Sequence, residues 1–277
     1  MRSRTKRDRW RENRTLDRVH EPDLSEIAGG GTYLRGEWGS RVFGRERPIT
    51  LELGCGQGLF AVDLARRAPE RSVVGVDVKG HRFWRGARIA HDEGLVNAAF
   101  LRARIQWLDR FFAPCEVDQI WLTFSDPQVA DKRGTKRLTS PYYLTLYQDV
   151  LAAGGVLHVK TDSPEFHERT LEDGPATGME VTDACDDVHA AAAGRFDEEL
   201  TASLAFRTAY EDRWIREGRT IRYSRLVKTA DPDPESLARA RQMLQGPASR
   251  QSPRFPGVRL MGGDSDPISR TGSRDRP

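Results

Sequence analysis

Residues 49–58 read I-T-L-E-L-G-C-G-Q-G, an apolar run that turns directly into a glycine-rich loop. Residues 59–67 then carry apolar side chains at helical spacing, so the segment predicts a strand, a tight loop and a helix. Glycine at Gly54, Gly56 and Gly58 lets the loop backbone adopt positive φ angles and approach a ligand closely. Such a unit is typical of the first strand-to-helix turn of an open α/β sheet.

The same loop discriminates between two classes of cofactor. Dinucleotide-binding loops require a glycine where this chain has Leu59, so that fingerprint is absent. An acid, Glu52, stands two residues before the first glycine, where it would repel a pyrophosphate and suit a cationic ligand such as S-adenosylmethionine. The next apolar run ends at Asp77, which is placed to accept hydrogen bonds from both ribose hydroxyls. Each feature alone is common, but together they favour a class I methyltransferase.

Strand and helix patterns alternate through the middle of the chain. Further strands are expected at 99–101, 117–124, 156–160 and 221–227, with helices starting at Ser140-Pro141 and Ser163-Pro164. Another helix is expected around 208–217, whereas residues 173–197 are expected to be loop-rich. This order predicts an α/β, Rossmann-like class I methyltransferase fold, with a mainly parallel, doubly wound sheet and an antiparallel last strand.

Composition suggests three segments: a basic N-terminal arm and lead-in at 1–47, a methyltransferase domain at 48–228, and a tail at 229–277. Residues 1–20 hold eight Lys and Arg against three acids, so the arm can either supply phosphate contacts or be a solvated, disordered leader. The tail is rich in Pro, Gly and Ser, and is expected to be disordered after one short helix at 234–244.

The composition and the cysteine spacing argue against a membrane-spanning, a secreted and a disulfide-rich protein. The 277 residues carry a net charge of +3, with 31% charged and 38% apolar residues, and no long apolar run or signal peptide is visible. Three widely spaced cysteines, Cys55, Cys115 and Cys185, form neither a disulfide framework nor a metal-binding pair. We therefore expect a cytoplasmic protein without a metal, either a monomer or a homodimer.

A second informative stretch, 120–138, reads I-W-L-T-F-S-D-P-Q-V-A-D-K-R-G-T-K-R-L. Its apolar start predicts a strand that ends near Asp126, where Pro127 breaks it. A cationic loop follows, and its side chains could hold the phosphates of a polyanion: Lys132, Arg133, Lys136 and Arg137. Since charge runs are usually solvated, the alternative is a basic loop without a ligand. The position beside a strand-end acid favours phosphate binding and hence chemistry on a nucleic acid.

Guanine is a methyl acceptor that suits carboxylates at this sheet edge. Asp126 and Asp162 follow the fourth and fifth predicted strands, and ligands of open α/β sheets lie at the carboxyl ends of strands. A carboxylate can accept from both N1–H and N2–H of guanine, whose N7 is an unprotonated acceptor. N7 can therefore attack a sulfonium methyl without a base, while a fixed carboxylate stabilises the positive charge that develops on the ring.

These residues resemble those of the bacterial tRNA (guanine-N7-)-methyltransferases over residues 10–228. The first motif of that family is similar to residues 52–58, and its ribose-binding acid aligns with Asp77. Its hallmark F-P-D-P and the basic residues after it resemble residues 124–138, with Ser125 in place of the first proline. Its T-D pair is similar to Thr161-Asp162, and its late T-x-[FY]-E motif matches residues 208–211.

The resemblance implies an activity and a role for each matching residue. Asp126 would be the catalytic carboxylate, and the guanine would contact Asp162, Thr208 and Glu211. The residues on the cofactor side would be Glu52, Gly54, Gly56, Gly58, Asp77, Arg104, Ile105 and Asp126, where Arg104-Ile105 replaces an acid and a small residue. The implied reaction is methylation of N7 of guanosine 46 in the variable loop of tRNA by S-adenosylmethionine.

Two other functions stay open at this point. A class I methyltransferase could act on another RNA or on a small molecule, although a small-molecule enzyme would not need the cationic loop. A catalytically degenerate relative could keep only RNA binding. Its support is the departures from the family pattern at Ala130, Asp131 and Arg104.

Overall fold

The computed structural model describes residues 4–28, 30–128, 135–191 and 194–245. The predicted phosphate ligands Lys132 and Arg133 lie outside the described residues, and so does the chain from residue 246 onward. The division into arm, domain and tail stays a prediction.

The described residues form one eight-stranded sheet with the order β1-β4-β3-β2-β5-β6-β8-β7. Neighbouring strands are parallel from β1 through β6, whereas β8 is antiparallel to both β6 and β7. The predicted mainly parallel sheet with an antiparallel last strand is therefore confirmed. The strands are β1 Val19–His20, β2 Ile49–Leu53, β3 Ser72–Asp77, β4 Ala98–Arg102, β5 Val117–Thr123, β6 Leu151–Thr161, β7 Met179–Cys185 and β8 Arg222–Lys228.

Helices lie against both faces of this sheet, as a doubly wound fold requires. They are α1 Lys6–Asn13, α2 Leu24–Ala28, α3 Leu59–Arg67, α4 Gly80–Asp92, α5 Pro141–Val150, α6 Pro164–Ala176, α7 Glu198–Ala205, α8 Ala209–Arg216 and α9 Pro234–Gln245. A π-helical turn precedes β2, and a 3-10 helix, Ile105–Arg110, follows β4. The Ser-Pro starts predicted for α5 and α6 are confirmed, with Pro at the first helical position in both.

Both faces of the sheet are buried at its central strands, which explains the continuous apolar runs in the sequence. Along β5, Ile120 and Leu122 pack into one hydrophobic layer, whereas Trp121 packs into the other. Every residue of β2, β3 and β4 is buried. The central strands are thus fixed by packing on two sides, and their carboxyl ends meet along one edge of the sheet.

The expectation of loops across residues 173–197 is wrong for the first half of that stretch. It contains the end of α6 and the edge strand β7, which pairs only with β8 among the described residues. The residues of β7 alternate between buried ends and exposed polar positions such as Glu180 and Thr182. An edge strand with one open face needs few large apolar residues, so β7 lacks the apolar run that revealed the central strands.

The ends of the described chain pack onto this core. Asn13 of α1 is buried and donates a hydrogen bond to the carbonyl of Gly80 at 3.0 Å, and Glu12 accepts one from Trp84 of α4 at 2.7 Å. The described part of the basic arm is therefore packed structure rather than a free leader. The short helix expected at 234–244 is α9, where Arg241 pairs with Asp109 and Asp149, each at 2.8 Å.

Candidate active site

The glycine loop lies between β2 and α3, and its three glycines all have positive φ, at +77°, +54° and +71°. A Cβ atom at Gly54 would meet nothing within 4 Å, and one at Gly56 only a carbonyl at 4.0 Å. A Cβ at Gly58 would instead lie 2.4 Å from the ring of Phe100. The first two glycines therefore leave open space above the backbone, and the third allows close packing on β4.

Glu52 occupies the base of this loop and is only 2% exposed. One of its carboxyl oxygens accepts the Ala61 N–H at 2.9 Å, and the other accepts the Thr123 hydroxyl at 3.0 Å. Burial raises the pKa of Glu52 to about 8, opposed by these two hydrogen bonds. Glu52 thus ties β2 to the first turn of α3 and to the end of β5, and it does not face the cleft as a free anion.

Asp77 ends β3 on the other side of the glycine loop. Its carboxylate accepts the Gly56 N–H at 3.0 Å and the Lys79 N–H at 2.8 Å, and the residue is 7% exposed. Burial raises the pKa of Asp77, while the two N–H donors lower it. An ionised carboxylate has about four lone-pair sites, so Asp77 keeps acceptor capacity for a ribose hydroxyl. The open loop and this spare capacity fit S-adenosylmethionine.

Arg104 and Ile105 follow β4 at the start of the 3-10 helix. The Arg104 guanidinium lies 5.5 Å from the centroid of the Trp107 ring, and its Nε is buried without a hydrogen-bond partner among the described residues. Ile105 is partly buried and packs against the main hydrophobic core. The side chain of Ile105 is therefore committed to packing, whereas Arg104 retains an unused buried donor at this sheet edge.

Asp126 is an exposed carboxylate beyond the end of β5. One of its oxygens accepts the Gln128 N–H at 3.1 Å, which closes a short turn. The turn starts at Phe124, whose φ of +53° is left-handed, a conformation that costs a non-glycine residue about 1–2 kcal/mol. Phe124 is held there by its N–H, which donates to the Lys160 carbonyl at 2.8 Å, and by its ring, 5.0 Å from that of Trp214.

The three predicted guanine ligands have different surroundings in the structure. Asp162 lies after β6 and forms an ion pair with Arg219 at 2.8 Å. Thr208 caps α8 by accepting the Glu211 N–H at 3.1 Å. The Glu211 side chain is fully buried and pairs with Lys160 at 2.8 Å. Sequence reasoning did not identify Lys160 or Arg219 as part of this region, although a lone lysine in the apolar strand β6 is an unusual feature.

Two described residues of the cationic loop also differ in their surroundings. Lys136 is exposed, whereas the Arg137 side chain is 11% exposed and pairs with Asp173 of α6. The charge of Arg137 therefore anchors the end of the loop to the domain, and Lys136 is the loop cation that the structure describes on the surface.

Comparisons with known proteins place these features in context. The chain matches the family described as "Putative methyltransferase" over residues 46–223. It is 39% identical over 225 residues to a "tRNA (guanine-N(7)-)-methyltransferase" of Christiangramia forsetii, covering 81% of this chain and 98% of that relative. It is 45% identical over 193 residues to a Porphyromonas gingivalis protein of the same name, covering 70% and 76%. A solved structure, the 16S rRNA methyltransferase KamB, is 17% identical, with a TM-score of 0.49 and coverage of 69% and 92%.

The parallel sheet, the open glycine loop and the acid that ends β3 define a class I methyltransferase that uses S-adenosylmethionine. The match covers 98% and 76% of the length of these two relatives. The chain belongs to the tRNA (guanine-N(7)-)-methyltransferase family.

The described residues contain neither a membrane-spanning helix nor a cluster of metal-binding side chains. No helix there is long and apolar enough to span a bilayer. No group of three or more His, Cys, Asp or Glu side chains in the same part of the chain is arranged to hold a metal ion.

Proposed function

We propose that this protein transfers a methyl group from S-adenosylmethionine to N7 of guanosine 46 in tRNA. The observation that carries the proposal is the exposed carboxylate of Asp126, which lies beyond the strand next to the glycine loop. The relatives named above carry the name of this reaction without the position. The position follows from the family resemblance of the motifs.

In methyl transfer, the bond between N7 and the methyl carbon forms as the bond between that carbon and the sulfur of S-adenosylmethionine breaks. S-adenosylmethionine supplies the methyl group and leaves as the neutral thioether, while N7 uses its lone pair and the guanine becomes positively charged. Asp126 is the proposed catalytic residue because its fixed negative charge stabilises the charge that develops on the base. N7 carries no proton, so the chain does not need to supply a general base for the transfer.

The cofactor is proposed to bind to the glycine loop and to residues at the carboxyl ends of β3, β4 and β5. Backbone at Gly54, Gly56 and Gly58 would lie against the cofactor, and Asp77 would accept from its ribose. Glu52 would fix the loop through Ala61 and Thr123, which its hydrogen bonds support. The remaining cofactor contacts are assigned to Arg104, Ile105 and Asp126. Arg104 would contribute its Nε, which has no hydrogen-bond partner among the described residues, and Ile105 would contribute backbone.

The substrate side is proposed to combine base contacts with phosphate contacts. Asp162, Thr208 and Glu211 would form the wall around the guanine, and their positions after β6 and at the start of α8 support this. The phosphate ligands would be Lys132, Arg133, Lys136 and Arg137. The ion pair of Arg137 with Asp173 supports a narrower role for Arg137, which is to anchor the loop that presents the other cations.

A second basic surface supports the choice of a large polyanionic substrate. Lys6 and Arg9 of α1 lie near Lys79 and Arg82, and all four act together to lower the pKa of His81, after the larger effect of burial. This surface adjoins the glycine loop, because Arg85 of α4 donates to Gln57 at 3.0 Å. We propose that it contacts the tRNA backbone in a cytoplasmic enzyme that is a monomer or a homodimer.

The position is tested with two unmodified tRNA transcripts that differ only at nucleotide 46. Labelled S-adenosylmethionine is supplied to both, and the product nucleosides are resolved by mass. 7-Methylguanosine from the guanosine-46 transcript alone is the expected result. Equal labelling of the transcript with adenosine at that position would refute position 46 and leave another guanosine as the target.

A further inference from the structure

Lys160 is a buried lysine next to the candidate active site. It lies one residue before the end of β6, and its side chain is 2% exposed. The ammonium group donates to the Leu204 carbonyl at 2.8 Å, to the Phe206 carbonyl at 3.0 Å and to the Glu211 carboxylate. An ammonium has three donors, so each finds a partner in the protein. No donor of Lys160 is left over for a ligand.

The partner of this lysine is also withdrawn from solvent. Glu211 is fully buried, and its second neighbour is His189, whose Nε2 lies 3.0 Å from a Glu211 oxygen. Removing two charges from water carries a large desolvation cost, so such a pair is a weak source of stability. The pair does connect β6 to the first turn of α8, which Thr208 caps.

The same lysine contacts the turn that carries Asp126, and it does so through two atoms. Its backbone carbonyl accepts the Phe124 N–H at 2.8 Å, and its ammonium lies 5.6 Å from the centroid of the Phe124 ring. Phe124 has the left-handed conformation described above, which persists only where the surroundings hold it. The direction in which Asp126 leaves β5 therefore depends on a residue that Lys160 contacts directly.

We propose that Lys160 is a positioning residue for methyl transfer, which holds Phe124 and thereby fixes the orientation of Asp126. The inference rests on the proposed function for the identity of the reaction. Lys160 does not touch the substrate; its effect passes through the Phe124 ring and through the Glu211 side chain. The consequence is that a change at Lys160 lowers the rate of the chemical step more than it weakens cofactor binding.

The test is a double-mutant cycle of Lys160→Gln and Phe124→Leu, measured as kcat and as KM for S-adenosylmethionine. Glutamine retains donors for Glu211, which keeps the buried acceptor satisfied in the folded protein. Lys228→Gln is the matched control: Lys228 is equally buried at 2% exposure and donates to the Leu151 carbonyl at 2.7 Å. It lies at the opposite edge of the sheet, where β6 begins.

We expect Lys160→Gln to lower kcat by roughly 30-fold, equivalent to about 2 kcal/mol of barrier, with KM changed by less than about threefold. The kcat of the double variant should be about as low as that of the more damaging single variant, because both substitutions act through the contact between Lys160 and Phe124. If the effects of the two single substitutions on kcat multiply in the double variant, the proposal is overturned. A loss of kcat in the Lys228→Gln control equal to that in Lys160→Gln would also overturn it.

Tryptophan fluorescence tests the role of Lys160 without measuring turnover, so its result does not depend on the proposed function. Trp214 contacts the Phe124 ring, and its emission is obtained by subtracting the spectrum of each protein's Trp214→Phe counterpart. The emission should shift in Lys160→Gln and stay unchanged in Lys228→Gln. An unchanged spectrum in Lys160→Gln would contradict the holding of Phe124. Failure of the wild-type protein to methylate tRNA would instead refute the proposed function and leave this spectral test decisive for Lys160.

Discussion

Replacement of Gly86 by alanine tests the cofactor site through a residue that does not line it. Gly86 lies within α4, and its N–H donates to the Gln57 carbonyl in the glycine loop at 2.9 Å. A Cβ atom at this position would lie 2.5 Å from the Gly58 carbonyl oxygen and 2.9 Å from that of Gln57. Real Cβ atoms essentially never approach closer than 3.0 Å, and both opposing atoms are backbone, so the loop must retreat by about half an ångström.

Two opposing effects determine how Gly86→Ala changes the folding stability and the cofactor affinity. Overpacking of this kind costs about 1–3 kcal/mol. Alanine in a helix interior is favoured over glycine by about 1 kcal/mol, so a free protein that relieves the clash should keep its folding stability to within about 1 kcal/mol. The free protein can relieve the clash by moving the loop, whereas the cofactor-bound protein cannot. The whole overpacking cost then falls on binding, which weakens the affinity for S-adenosylmethionine by roughly 5- to 150-fold.

Calorimetric titration with S-adenosylmethionine, alongside thermal unfolding, measures both quantities for Gly86→Ala. The control is Gly31→Ala, whose Cβ would meet only the flexible Arg35 side chain, at 3.1 Å, and an Arg110 carbonyl at 4.0 Å. We expect a higher Kd and a nearly unchanged Tm for Gly86→Ala, and wild-type values for the control. A folded Gly86→Ala protein with wild-type affinity would show that the cofactor does not depend on the position of this loop.

Three further changes have defined outcomes. Asp126→Asn should lower kcat by roughly 100-fold while tRNA still binds, and wild-type turnover in a single-turnover assay would remove Asp126 from its catalytic role. Lys136→Ala should weaken tRNA binding and reduce the salt slope by about one phosphate contact, whereas an unchanged slope would mean that Lys136 is only solvated. The pKa of Glu52 is raised to about 8 in the folded protein, so this group stabilises the fold at low pH and loses that contribution as the pH rises through 8. The Tm of the wild type should therefore fall relative to that of Glu52→Gln between about pH 5 and pH 8, and a constant difference would contradict the shift.

The sequence predicted the parts of the fold and site whose roles depend on local chain order. The glycine loop, the following helix and the acid at the end of β3 are close in sequence, and one strand-turn-helix pattern specifies them. α3 was predicted at 59–67 and found at Leu59–Arg67. The apolar runs of the central strands were readable because burial on both faces requires them.

Contacts between distant residues could not be predicted in this way. Lys160 and Glu211 are 51 residues apart, and Arg137 and Asp173 are 36 apart. A single sequence shows that each is charged, but not which charge it meets in the fold. The motif match of Glu211 implied a contact with the guanine, but it did not show that the Glu211 side chain is buried and paired with Lys160.

Transfer of the methyl group to N7 of guanine can be tested directly with one substituted substrate. A tRNA transcript made with 7-deazaguanosine keeps the Watson–Crick edge of every guanine but replaces N7 with carbon. Methyl transfer from labelled S-adenosylmethionine to this transcript is measured beside the ordinary transcript, with the nucleosides resolved by mass. We expect 7-methylguanosine from the ordinary transcript and no label in the deaza transcript. Equal labelling of both would contradict transfer to N7, because the acceptor would then be another atom.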